Sequence, residues 1–335
     1  MEVLKKPAFN VSIIKWHKKF GRHDLPWQKS KDPYHVWVSE IMLQQTQVVT
    51  VISYYQKFIT KFKTIKALAE ASEDLVLSMW SGLGFYSRAR NLHAASIMIM
   101  KENSGHFPDN FQDMIRLPGI GRSTAGAILA FCFNKPYPIL DGNVKRVLSR
   151  VYGITTPINN SSTEKKLWLL SEKNLPKKNI DIYTQAIMDF GATLCIPKRP
   201  ICNICPITQS CVAYFNGLTT QIPKKNPVKK NEIKKTHFYI YEYQKQVFLV
   251  KNRSGVWNGL WLPPNEEIEL KNKQIIKYGH RQSVFSHYKL VFEYTFIKAL
   301  AKPEIKLKGL WINWQDIQDI GLPAPIKKLL IELSP

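Results

Sequence analysis

Four cysteines, Cys195, Cys202, Cys205 and Cys211, stand in the pattern C-x6-C-x2-C-x5-C within seventeen residues. Thiols gathered so closely in an intracellular chain bind metal more often than they form disulfides. Sulfur ligands suit zinc and iron–sulfur clusters alike, so ligand type does not choose between them. Zinc sites usually pair two C-x2-C hooks, and here a single such pair is present. The long first gap suits a loop wrapped round a 4Fe-4S cubane, with zinc as the other reading. The fifth cysteine, Cys132, lies in the apolar stretch AILAFCF and reads as a small core residue.

Two carboxylates stand apart from this cluster. Glu40 is flanked by Trp37, Val38, Ile41, Met42 and Leu43, an apolar setting that would raise its pKa and keep part of it protonated near neutrality. Asp141, in LDGNVKRVLSR, opens a helix as its N-cap, a role that leaves one carboxylate oxygen free. One protonated and one ionised carboxylate are what breaking a glycosidic bond requires. Between them, FQDMIRLPGIGRSTAGAILAF reads as helix, tight turn, helix. Pro118 ends the first helix, while Gly119 and Gly121 allow positive φ and close backbone approach. Such a hairpin presents backbone N–H groups to a phosphate without reading bases.

The elements that must hold these groups are legible in outline. Residues 10–215 carry helical periodicity: NVSIIKWHKKFG, EIMLQQTQVVTVISYYQKFITKF, DLVLSMWSGLG, RNLHAASIMIMKE and KKLWLLSEKN repeat an i, i+3, i+4 spacing. The texture changes at QIPKKNPVKKNEIKK, which has linker composition. Beyond it, THFYIYEY and QVFLVKN read as a hairpin, SHYKLVFEYTFIKA as a strand and GLPAPIKKLLIEL as a short closing helix, which makes this region α+β. The formal net charge is +23, which suits a polyanionic partner such as nucleic acid, and the lysine-rich linker alone does not supply it. No apolar run approaches the roughly 20 residues of a membrane span, and no signal region follows the N-terminal lysines. A cytoplasmic, monomeric protein without membrane contact, associated with the nucleoid through DNA, is the expectation.

Taken together, LPWQ at 25–28, DPYHVWVSEIMLQQTQV at 32–48, GLGFYSRARNLH at 82–93, LPGIGRSTAGAI at 117–128, LDGNVKRVLSR at 140–150 and the cysteine loop resemble the MutY-type adenine-DNA glycosylases. More loosely, WNGLWLPP at 257–264 and FSH at 285–287 resemble that family's C-terminal MutT-like domain. The resemblance implies an all-α helix-hairpin-helix glycosylase domain over 1–217, including the cluster loop 195–211. A basic linker at 218–235 and a smaller α+β MutT/Nudix-like domain over 236–335 would follow. It also implies a 4Fe-4S cofactor on the four cysteines. The partner would be double-stranded DNA containing adenine opposite 8-oxoguanine or guanine, from which the adenine is flipped out and excised.

In that family Glu40 would protonate adenine and Asp141 would stabilise the cationic sugar. Gln45 and Phe85 match wedge positions used in base flipping, and Phe85 stands where many relatives have tyrosine. Leu117, Gly119, Gly121, Ser123 and Asn143 fall on the DNA side, and Trp27 lines the adenine pocket. Gln28 replaces a common arginine, putting one adenine-side contact in doubt. Ser123 occupies the position of the Schiff-base lysine in strand-cutting relatives, so excision without strand cleavage is implied. Phe285, Ser286 and His287 would recognise 8-oxoguanine. Glu266, Glu267 and Glu269 do not form the glutamate box that magnesium-dependent pyrophosphate hydrolysis needs. A bifunctional pyrimidine glycosylase is the rival enzyme, and a non-catalytic iron–sulfur DNA-binding protein the rival of another class. The thiol spacing generates the first prediction: anaerobically purified protein should be brown and contain about four iron per chain by metal analysis, whereas stoichiometric zinc without iron would select the other reading.

Overall fold

The computed structural model describes residues 8–226, 232–255, 257–285 and 288–334. The chain divides into two compact units, one of Met1–Ile59 with Ala95–Pro227, the other of Thr60–Ala94 with Val228–Pro335. No helix among the described residues is long and apolar enough to cross a membrane.

Helices come in the order the periodicity predicts, beginning with α1 (Phe9–Phe20), α2 (Pro33–Leu43), α3 (Val48–Lys61) and α4 (Ile65–Ala69). They continue with α5 (Glu73–Met79), α6 (Ser87–Asn103), α7 (Phe111–Arg116) and α8 (Arg122–Phe133). After α9 (Gly142–Val151), α10 (Ser161–Lys173) and α11 (Ile180–Asp189), a π-helical turn (Phe190–Leu194) leads into the cysteine loop, which closes on α12 (Val212–Phe215). The periodic stretch from Glu40 to Phe62 is not one helix. Gln45 takes φ 56°, which breaks the hydrogen-bond ladder between α2 and α3. Local cap chemistry sets several starts: Asp32 accepts from the Tyr34 N–H, Asn110 from Asp113 and Asp141 from Val144.

The core of the first unit forms where α9 and α11 meet. Val144, Val147, Leu148, Tyr183, Ala186 and Ile187 are buried together with Ile13 and Trp16 of α1. Cys132 sits partly buried on α8. The linker begins docked on this unit: the Ile158 N–H donates to the Lys224 carbonyl at 3.0 Å, and Arg150 Nε to that of Ile222 at 2.8 Å.

In the second unit, β1 (Glu232–Tyr243) and β2 (Gln246–Lys251) form the expected hairpin, closed by Gln244 and Lys245 at φ 47° and 61°. With β3 (Trp261–Leu262), β4 (Lys273–Val284), β5 (Tyr288–Ala299) and β6 (Gly309–Asn313) they make one six-stranded sheet in the order β3-β2-β1-β5-β4, β6 pairing β2. The β1–β5 pair is parallel and the others antiparallel. Phe238, Ile240, Phe292 and Phe296 bury one face against α13 (Ala324–Leu333) through Ile326, Leu329 and Leu330. Residues 60–94, helical in sequence, cluster with this sheet. Asp74 accepts hydrogen bonds from Lys251 Nζ at 2.9 Å and Trp261 Nε1 at 3.1 Å, and the Leu322 carbonyl accepts from Ser81 and Tyr86.

Packing is tight where α8 meets the loop before Asp141. A Cβ on Gly126 would stand 2.5 Å from the Pro138 carbonyl oxygen, a backbone atom with no rotamer to yield. Gly126→Ala should therefore destabilise the protein by about 1–3 kcal/mol, read from the midpoint of denaturant unfolding.

Candidate active site

Helix α2 carries Glu40 one turn from its end. Its neighbours Trp37, Val38, Ile41 and Met42 are buried, which anchors the helix and leaves Glu40 facing cavities. One cavity is lined by Glu40 and Asp141 with Trp27, Gln44, Ser123 and Asn143. A second lies against Glu40, Trp27 and Arg22 as well, with His17 and His23 in its wall. Burial, and then the nearby Asp141 carboxyl, push the Glu40 carboxyl up to about 8.

Asp141 is the N-cap of α9, where its Oδ1 accepts from the Val144 N–H at 2.7 Å and its Oδ2 from Asn143 Nδ2 at 3.2 Å. Burial raises its carboxyl too, but these two donors and the Arg146 guanidinium pull the other way. Of two acids facing one cavity, the one with donors on its oxygens is the better home for the charge. Both carboxyls lie above the usual carboxylate range, and the arrangement favours the proton on Glu40.

The hairpin supports this pair. Leu117 and Ile120 are buried and close a turn in which Gly119 takes φ 80°. Gly121 caps α8 without a side-chain hydrogen bond, so the first N–H groups of α8 have no side chain competing for them. Ser123 Oγ accepts from the Leu140 N–H at 3.0 Å, tying the hairpin to the residue before Asp141. Asn143 lines the cavity and links Asp141 to Arg146. Trp27 is buried, packs edge-on to Tyr55 at 5.4 Å and lines both cavities.

Gln45 is exposed on the bend between α2 and α3. In the second unit Phe85 also holds a left-handed backbone, φ 48°, with the Arg88 guanidinium 5.6 Å from its ring. For a bulky side chain this conformation is rare, and it turns the ring out of the GLGF turn. Phe285 stacks on Tyr288 at 4.6 Å and lies near Trp257, while Ser286 and His287 lie outside the described residues.

Sequence reasoning missed several groups. Gln44 Nε2 donates to Thr124 Oγ1 at 3.3 Å, joining the wedge bend to α8. Gln28 lines the second cavity, and its amide accepts from the Leu25 N–H and donates to the Arg22 carbonyl, holding its own loop. Arg22 and Gln185, which line the cavities beside Glu40, both bond Asp189, and Arg22 reaches it across 167 residues, a separation no local pattern encodes.

The four cysteine thiols line one apolar-walled cavity with Phe190, Leu194, Ile201 and Ile207. Two buried arginines of α9 hold its entry strand. Arg146 donates to the Cys195 and Gly191 carbonyls, and Arg150 to Cys195 Sγ at 3.3 Å and to the carbonyls of Ile196 and Pro197. Four thiols with a guanidinium beside one sulfur fit an anionic iron–sulfur cluster. Among the described residues no compact group of three or more His, Cys, Asp or Glu forms a site for one metal ion.

The HhH-GPD superfamily base excision DNA repair protein family matches residues 38–173. The adenine DNA glycosylase of Buchnera aphidicola subsp. Schizaphis graminum is 40% identical over 344 residues, spanning 96% of this chain and 98% of that protein. The human adenine DNA glycosylase is 39% identical, covering 63% of this chain and 40% of its own. Among solved structures, a thermostable thymine-DNA glycosylase superposes with a TM-score of 0.57 at 28% identity, over 62% of this chain and 95% of that one. An endonuclease III in complex with DNA shares the fold at TM-score 0.53 and 21% identity, over 62% of this chain and 94% of its own.

Glu40 also leaves a mark on stability. Its folded pKa, about 8, lies above the ordinary 4.5, so folding favours the protonated form. The stability this gives is complete below about pH 4.5 and is lost as pH rises through 8. Glu40→Gln has no proton to lose, so in denaturant titrations it should gain on the order of 3 kcal/mol on the wild type near pH 7.

Proposed function

The chain belongs to the adenine DNA glycosylases, enzymes of base excision repair that hydrolyse an N-glycosyl bond, and on that premise we propose that it excises adenine paired with 8-oxoguanine and leaves the strand uncut. The observation that carries this reading is the cavity that Glu40 and a hydrogen-bonded Asp141 line together, with no lysine among its described lining residues. Extrusion of the adenine brings it into that cavity. Glu40 delivers its proton to a ring nitrogen, and the electron pair of the C1′–N9 bond leaves with neutral adenine. The Asp141 carboxylate faces the cationic sugar that remains. Water then adds to C1′, and its surplus proton returns to Glu40, which restores the resting state. Ser123 has no nucleophilic amine to form a Schiff base, so the product is an abasic site.

Other groups take supporting parts in the same proposal. Leu117, Gly119 and Gly121 offer the hairpin to a phosphate, and Gln45 and Phe85 wedge the duplex at the flipped base. Phe285, Ser286 and His287 read the 8-oxoguanine from the second domain, taken as residues 236–335. Cys195, Cys202, Cys205 and Cys211 would hold a 4Fe-4S cluster, which when bound cross-links their loop.

The test is excision from one duplex set: adenine opposite 8-oxoguanine, adenine opposite guanine, and thymine glycol. Adenine release with strand breakage only after alkali supports the reading, and action on thymine glycol selects the bifunctional rival. Glu40→Gln keeps shape but delivers no proton. Its single-turnover rate should fall at least 10²–10⁴-fold, the usual worth of general acid catalysis, while duplex binding changes little. The wild-type rate should fall as pH rises through about 8, where Glu40 loses its proton.

A further inference from the structure

Phe85 and Phe285 lie far apart in sequence but in one compact unit, and each is held from behind. Phe85 ends a turn whose carbonyls are taken up. Arg88 Nη2 donates to that of Leu83 at 3.1 Å and to that of Gly84 at 3.0 Å, and Trp80 Nε1 to Gly84 at 3.2 Å. Ser81 Oγ and Tyr86 Oη, on either side of the turn, both donate to the Leu322 carbonyl, at 3.0 and 3.1 Å. Phe285 stacks on Tyr288 and meets Trp257 edge-on at 6.1 Å. Trp257 opens a tight turn in which its carbonyl accepts from the Leu260 N–H at 3.0 Å and Gly259 takes φ 83°. That turn lies against α5 and α6: a Cβ on Gly259 would stand 3.2 Å from Glu73 Oε1 and 3.5 Å from Arg90 Cδ. Arg90 Nη1 donates to the Asn258 carbonyl, a tie strengthened by the donor's charge. From Phe285 through Trp257, Asn258 and Arg90 to α6 and Phe85, every link is therefore a ring contact, a hydrogen bond or helix backbone.

We propose that Arg90 is a positioning residue: by latching the Trp257–Gly259 turn to α6 it holds Phe285 and Phe85 on one frame, so that the reader of the opposite base and the wedge meet the duplex at a fixed spacing. The inference rests on the adenine-excision reading, with its assignment of these two phenylalanines, and deepens it. Two side chains that act on one base pair gain from being held in register beforehand, because the ordering is not then drawn from the binding energy. When 8-oxoguanine seats against Phe285, the frame sets Phe85 at the step beside it. With the latch released, Phe285 seats without Phe85 following, and contact with 8-oxoguanine no longer favours extrusion of the adenine.

The experiment measures single-turnover excision by the full chain of adenine opposite 8-oxoguanine and of adenine opposite guanine. Arg90→Met keeps the aliphatic stem and drops the donors. The ratio of the two rates should fall about 10-fold, the scale of one hydrogen bond from a charged donor. Arg90→Lys still has a donor for the Asn258 carbonyl and should keep most of the ratio. Phe285→Ala lowers the ratio by itself, and adding Arg90→Met should lower it no further, because the latch acts through Phe285. Were Arg90 merely structural, or a phosphate contact, Arg90→Met would slow both substrates alike and leave the ratio unmoved. That result, or full additivity with Phe285→Ala, overturns the proposal. Should Arg90→Met fail to fold, Trp257→Leu breaks the same chain at its other end, and an unchanged ratio there overturns the proposal as well. A wild-type ratio of one sinks the 8-oxoguanine reading, and no adenine release sinks the excision reading; either takes this inference with it.

Discussion

Two guanidinium groups four residues apart on α9, Arg146 and Arg150, are buried, and a buried cation needs acceptors for its fixed fork of donors. The structure meets that demand with backbone carbonyls of Gly191, Cys195, Ile196, Pro197 and Ile222. The π-helical turn, the first cysteine and the head of the linker are thus all drawn onto one helix. The same helix begins at Asp141. The cysteine loop and the Asp141 carboxylate therefore share a support, linked through Asn143, which accepts from Arg146 and donates to Asp141. Gly191 belongs to this arrangement because a Cβ there would stand 2.6 Å from that of Asn143.

Three of the residues proposed for function are held at some energetic disadvantage. Glu40 is kept in surroundings that oppose its ionisation. Gln45 and Phe85 both sit in the left-handed backbone region, which costs a residue with a Cβ on the order of 1–3 kcal/mol. Each departs from what local stability alone would select. Rigid surroundings are what make such departures sustainable.

Much of the site is legible in the sequence where the signal is local. The cysteine spacing, the capping aspartate at 141 and the Pro118–Gly119 turn each announce themselves within a few residues, because caps and turns are short-range chemistry. The strands of the second unit follow only in part from alternation: one face of β1, β2 and β5 carries the main core, while Tyr241, Phe248 and Ile297 bury part of the other face as well. What could not be read depends on distance or on a single dihedral. Helical spacing runs straight through Gln45, so the bend that divides α2 from α3 leaves no trace in the hydrophobic pattern. Asp189 reads as an ordinary helix-end residue until α1 and the loop after it bring His17 and Arg22 onto its oxygens. Nor does the sequence show that the Gln28 amide braces its own loop, between the Leu25 N–H and the Arg22 carbonyl.

The recruitment of residues 60–94 by the C-terminal sheet has a bearing on synthesis. As the chain leaves the ribosome, α5 emerges long before the strands that carry Lys251 and Trp261, and the Leu322 carbonyl that receives Ser81 and Tyr86 comes later still. Trp80 and Leu77, fully buried in the finished protein, belong to a segment whose partners arrive some 170 to 240 residues afterwards. Sequence separation of that kind slows folding and leaves apolar surface exposed in the interval. The nascent chain thus carries an unfinished internal segment until the strands bearing Lys251 and Trp261, and then Leu322, have been made.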